Sequence, residues 1–196
     1  MITRLKLSTI EQGLPKYRSM LAGNDAYVPS SFESIASASG TGSSNTITFS
    51  SIPSTYTSLQ IRAIVFSATN NSSVRLRFNG DSGNNYSYHQ LSGTGSSAYA
   101  SGVASISGPI VIGPWTGTIS NMPLVGIIDI HDYTSTTRNK TVRAISGVND
   151  NTTNDEISLT SGAWLNTNAV TSISLVSTSG NWATTSQFAL YGIKGA

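Results

Sequence analysis

From Phe32 onward, apolar and polar residues alternate with a period of two. The clearest run is "VRLRF", which sets Val74, Leu76 and Phe78 against Arg75 and Arg77. "SFESIAS" places Phe32, Ser34 and Ala36 opposite Glu33 and Ile35, and "NTITF" places Ile47 and Phe49 opposite Thr46 and Thr48. "SLQIRAIV" keeps Leu59, Ile61, Ala63 and Val65 in step against Gln60 and Arg62. "PLVGIIDIHDY" turns Ile128 and Ile130 away from Asp129 and His131. "KTVRAISGV", "EISLTSGAWL", "VTSISLVST" and "FALYGIK" follow, with Gly, Asn, Ser and Asp between them. Such runs are half-buried strands joined by turns. They predict about nine or ten strands and no helix in the body.

Many short strands with polar turns predict an all-β, antiparallel β-sandwich of jelly-roll type for residues 31–196, with an up-and-down barrel as the structural alternative. Two stretches break the pattern. "GTGSSAYASGVASISG" is rich in Gly and Ser and reads as a long exposed loop. "GPWTGTISNMP" carries two prolines and a tryptophan, unlike a central strand.

Composition sharpens this picture. Only 10% of the 196 residues are charged, well below the usual quarter. Hydroxyls and amides supply the polarity instead, which suits a protein packed among neighbours. Cysteine is absent, excluding disulfides and thiolate chemistry. No apolar run approaches the roughly 20 residues of a membrane helix, and residues 1–20 lack the apolar core of a secretory signal.

The net charge of +2 is unevenly placed. Residues 1–30 form an arm holding Arg4, Lys6, Lys16 and Arg18 against Glu11 and Asp25, while the remainder carries seven basic and seven acidic residues. The arm also holds Leu5, Leu7, Ile10, Leu14, Tyr17, Met20 and Leu21. Gly13, Pro15 and Gly23 disfavour one long helix, so an extended or partly helical segment is expected. No basic cluster or stripe supports nucleic-acid binding.

The chemical candidates are few. Asp129, His131 and Tyr133 would share a strand face, with Asp132 on the other, but no third metal ligand is nominated by spacing. "NGDSGNN" offers Asp81 and amide oxygens to a cation, yet a turn closing a hairpin explains it more simply. Asp150, Asp155 and Glu156 lie together in one Asn/Thr-rich loop rather than across a cleft, as a glycosidase would need. The expectation is therefore no catalytic residue, no metal and no cofactor. Trp115, Trp182 and Tyr99 are the candidate glycan or receptor contacts, since an exposed ring stacks on a sugar. Their alternative is packing. Trp164 is expected in the core or at its edge.

Taken in order, "SFESIAS", "ITFSSIPSTYTSLQIR", "RLRFNGDSGNNYSYHQL", "ISLTSGAWLNTNAVTSISL" and "FALYGIK" resemble a family of virion structural proteins of tailed bacteriophages, common among marine and cyanobacterial phages. The resemblance spans Phe32 to Lys194, and "GLPKYRSMLAGN" resembles a leader seen before such domains. It implies a non-enzymatic virion component, a tail-fibre or tail-appendage subunit, with a capsid cement or decoration protein and a lectin-like receptor-binding module as alternatives. It also implies partners among other virion proteins, a homo-oligomer with a trimer favoured, and a host-surface glycan as a further partner, without membrane insertion. The arm then becomes an anchor, with Arg4, Lys6, Leu14, Tyr17, Arg18, Met20 and Leu21 as its assembly residues, laid on a neighbour, with packing on its own body as the alternative.

Overall fold

A computed structural model describes residues 31–66, 72–106, 110–113, 122–149 and 155–194. The arm residues and Trp115 lie outside the described residues. Twelve strands and no helix are present among them: β1 (Phe32–Ser39), β2 (Thr46–Phe49), β3 (Ser58–Val65), β4 (Val74–Phe78), β5 (Tyr86–Gly93), β6 (Ala98–Ile106), β7 (Ile110–Val111), β8 (Leu124–His131), β9 (Lys140–Val148), β10 (Glu156–Trp164), β11 (Ile173–Ser177) and β12 (Gln187–Ile193).

The strands form two antiparallel sheets packed as a sandwich. The large sheet has eight strands in the order β1-β12-β3-β8-β9-β10-β5-β6, and the small sheet four in the order β2-β11-β4-β7. Their inner faces build one core. The large sheet contributes Leu59, Ile61, Ile128, Ile130 and Val142, and the small sheet Phe49, Leu76, Phe78, Ile173 and Leu175. Period two puts these side chains on one face of each strand, and burying each of them is worth roughly 1.5–3 kcal/mol. β4 follows its sequence pattern throughout: Val74, Leu76 and Phe78 are buried, while Arg75 and Arg77 are half-buried on the opposite face.

Four local expectations are corrected. The stretch expected as a long Gly/Ser loop contains β6, paired along its length with β5. Its small residues give no apolar alternation, because it is held through its backbone and is exposed from Ala98 to Ser105. In β1, the register slips between Ser34 and Ala36. This bulge brings Ile35 and Ala36 both against the core and breaks the simple alternation. Tyr133 leaves the face of Asp129 and His131, because the strand ends at His131 and Asp132 takes a φ of 56°. Tyr133 is then fully buried, donating to Pro53 O at 2.5 Å and accepting from Tyr56 N at 3.1 Å.

The fourth concerns "NGDSGNN". Asn79 and Gly80 both have positive φ, 48° and 69°, and Asp81 N donates to Phe78 O at 2.8 Å. That is the tight turn Asn-Gly favours. It closes no hairpin, because it carries the chain from β4 in the small sheet to β5 in the large one. Asp81 fastens the crossing. Its carboxylate accepts from Trp164 Nε1 at 2.7 Å, Asn85 Nδ2 at 2.8 Å and Gly83 N at 2.8 Å. These bonds, that from Trp164 foremost, hold its carboxyl below the usual range. The oxygens considered for a cation thus serve the core tryptophan.

Candidate assembly surface

The two sheets differ on their outer faces. The small sheet carries Thr46, Thr48, Ser174, Arg75 and Arg77 there, as a solvated face should. The large sheet carries two apolar rows. Strand pairing aligns Ile64, Val125, Gly147, Ile157 and Gly93 in one row across β3, β8, β9, β10 and β5. In the next row, Ile127, Ile145, Leu159, Leu91 and Ala100 run from β8 to β6, flanked on β3 by Arg62. Five strands at about 4.8 Å spacing make each row roughly 19 Å wide. Ile64, Leu91, Val125, Ile127, Ile145, Ile157 and Leu159 are 39–59% exposed.

Behind these rows the usual assignment is reversed. In β10, Ile157 and Leu159 point out while Ser158 and Thr160 are buried, each 1% exposed. Leu91 and Ile145 likewise point out beside buried Ser92 and Ser146. Of these inward hydroxyls, Ser92 and Ser158 form a bonded group, whereas Ser146 Oγ and Thr160 Oγ1 have no hydrogen-bond partner among the described residues. Ser92 Oγ and Ser158 Oγ lie 2.7 Å apart, Gln90 Nε2 donates to Ser158 Oγ at 2.8 Å, and Ser158 Oγ donates to Glu156 Oε1 at 2.8 Å. A buried hydroxyl is tolerated when it is hydrogen-bonded. What remains unexplained within one molecule is the apolar half of the pattern, left on the outside.

A groove of about 1290 Å³ follows this face, with Arg62, Ile64, Val125, Ile127, Ile145 and Ile157 among its walls. Tyr191 and Arg62 close one side. The Arg62 guanidinium sits 5.7 Å from the Tyr191 ring and 5.4 Å from that of Phe32, and these two rings stack at 4.8 Å. Beyond the apolar rows the surface becomes polar, with Gln60, Asp129, Arg143, Ser161 and His89 aligned across neighbouring strands. Gln60 Nε2 donates to Asp129 Oδ1 at 2.9 Å.

Neither the protein-family models, nor the curated proteins, nor the solved structures contain a match to this chain.

Of the candidate ligand contacts, Trp182 and Tyr99 are not brought together, and Trp115 lies outside the described residues. Trp182 is fully buried, with Phe188 edge-on at 5.4 Å. The reading of Trp182 as a glycan contact is therefore corrected: the core takes the ring that a sugar would need. Tyr99 is 42% exposed on β6. It stands on the opposite face of the large sheet from the apolar rows, paired with Ser92. Burial, and then its hydrogen bond to Glu156, push its phenol above the ordinary value. Trp164 is in the core, as expected, against Phe78 at 5.4 Å and Tyr86 at 6.5 Å. Burial pushes the Tyr86 phenol up to about 12, and its hydroxyl donates to Asp81 O at 3.1 Å.

Among the described residues, no group of three or more His, Asp or Glu is placed to hold a metal. His89 and His131 stand on the large sheet's outer face, on β5 and β8, with β9 and β10 between them. Glu156 opens β10 with its carboxylate bonded to Ser158, while Asp150 lies outside the described residues. Sequence reasoning missed the outer rows of the large sheet. The signal was present in "EISLTSG" and "KTVRAISGV", but alternation alone does not say which side of a strand faces inward.

Proposed function

We propose that this chain is a non-enzymatic structural component of a tailed-phage virion, a tail-fibre or tail-appendage subunit. The observation that carries the assembly reading is the apolar outer face of the large sheet. Its side chains are arranged as if that face had an occupant, and a contiguous patch of this kind marks an interaction surface. The phage assignment draws its support from the ordered phrases between Phe32 and Lys194.

Two further features agree with it. Strands β1-β12-β3-β8 and β2-β11-β4-β7 follow the pairing order of two interlocked Greek keys. We read the domain as a jelly roll whose first sheet is widened by β9, β10, β5 and β6, an architecture used by capsid and lectin domains among others. Fold alone does not assign a role. The second feature is the arm, whose apolar side chains and excess positive charge suit anchorage on a neighbouring virion protein. A capsid decoration protein would use the same arm and sandwich at another place in the particle.

Mass spectrometry of gradient-purified particles, with immunogold labelling, tests this reading. The expected result is the chain at stoichiometric level with label on the tail or its appendages. Label over the capsid shell would favour the decoration role. Absence from purified particles would overturn the proposal.

A further inference from the structure

The structure carries one inference beyond that role: we propose that the outer face of the large sheet is a self-association surface, on which two copies of this chain pack sheet against sheet about a two-fold axis. The area comes first. The seven side chains that are 39–59% exposed present on the order of 600 Å² of apolar surface, the upper end of what monomers leave uncovered. With their polar rim they approach the ~800 Å² per partner of a standard interface. Twisted sheets packed face to face interleave such residues at about 10 Å separation.

The distribution of charge selects a second copy as the occupant. The body carries seven basic and seven acidic residues, so two copies meet without net repulsion. The midpoint of the two apolar rows lies level with Ser146 and Ser158, which are directly paired. Arg143 pairs with Ser161, three residues from Ser158 along the strand, and Asp155 lies three residues from it in the other direction. A two-fold axis through this midpoint, in the interface plane and across the strands, brings the Arg143 end of one copy over the Asp155 end of the other. The apolar rows then face each other, and the polar row of Gln60, Asp129, Arg143 and His89 becomes the rim at both ends. Such an isologous contact closes with two copies, rather than the three favoured from the sequence.

This goes beyond the virion reading and stands apart from it, since pairing is measured on the purified full-length chain whatever its location. Sedimentation equilibrium from about 1 to 100 µM should give a monomer–dimer equilibrium within the range ordinary interfaces reach. Ile145→Glu or Leu159→Glu should weaken it at least tenfold while leaving the far-UV circular dichroism unchanged. Thr48→Glu, on the outer face of the small sheet, should leave it unaltered. A monomer throughout, a trimer, or a dimer indifferent to Ile145→Glu would overturn the proposal.

A second measurement serves should the glutamate variants not fold. The chain has no cysteine, so single cysteines report cleanly. Leu159→Cys, beside the axis, should give dimers covalently joined by a short bismaleimide cross-linker, since the two copies' sites would stand about 12 Å apart, beyond the reach of a direct disulfide. Thr141→Cys should not, because its position lies five residues from Ser146 and the two copies' Thr141 sites would stand about 33 Å apart. Cross-linking through Thr141→Cys, or none through Leu159→Cys, would overturn the arrangement.

Discussion

Asp81→Ala should damage the core from a loop. In the native chain this carboxylate is the acceptor for Trp164 Nε1 at 2.7 Å, and Trp164 is 1% exposed. Removing the carboxylate leaves an indole N–H without its partner in a place water reaches poorly. A hydrogen bond to a charged acceptor contributes about 1.5–3 kcal/mol, and orphaning a buried donor costs about as much. The bonds from Gly83 N and Asn85 Nδ2 lie nearer the surface, where water replaces the carboxylate, so they add less. The total comes to about 2–3 kcal/mol, which for a domain of this size lowers the melting midpoint by roughly 5–10 °C. Asp81→Asn retains an acceptor oxygen and should cost about half as much. The pH dependence has a definite direction. Because the folded-state pKa of Asp81 is depressed, its stabilisation is fully present above the unfolded value of about 3.9 and disappears as pH falls through the folded value. Urea titrations at pH 7 and at pH 2–3, followed by far-UV circular dichroism, should show the gap between wild type and Asp81→Ala closing in acid. An Asp81→Ala variant as stable as the wild type at pH 7, or a wild type stabilised by added Ca²⁺ while Asp81→Ala is not, would refute the reasoning.

Other substitutions test neighbouring parts of the account. Phe78→Ala, at a fully buried position against Trp164, should cost about 3–5 kcal/mol in denaturant titrations, whereas Arg77→Gln on the far face of β4 should cost under about 1 kcal/mol. Lys140→Met should cost about 3 kcal/mol or more, because the buried ammonium donates to Ser135 O, Arg138 O and Thr167 O at 2.7, 2.7 and 3.1 Å. Burial lowers the Lys140 pKa, so the unfolded chain holds that proton to higher pH; thermal melts should show the wild type gaining on Lys140→Met as pH rises through the folded value toward the unfolded value of about 10.4. Trp182→Phe should cost only about 1–2 kcal/mol by calorimetry, since the Trp182 indole nitrogen has no hydrogen-bond partner among the described residues and the loss is one of volume.

The sandwich was legible because alternation in β3, β4 and β8 follows directly from one wet and one buried face. It failed where something other than side-chain burial sets the structure. β6 carries Ala, Ser and Gly and is held through backbone pairing, so composition suggested a loop. The slip in β1 depends on its partner β12, which a local reading does not supply. The Asn-Gly turn was recognisable, but not that it links two sheets, since that depends on Asp81 reaching Trp164, 83 residues away. Trp182 sits in a stretch composed like a loop, and only the packing of Phe188 against it reveals a core position. The outer face was hidden most deeply. In β10 the apolar and hydroxyl residues alternate as in any strand, and only their burial shows that Ile157 and Leu159 face away from the core.

The central claim is that this chain builds a virion through its sheet surface, and a reconstruction of the intact particle at side-chain resolution tests it most directly. The account predicts density for the sandwich in the tail or its appendages, with Ile127, Ile145, Ile157 and Leu159 covered by protein. A particle lacking the sandwich, or one in which that face lies open to solvent, would contradict it.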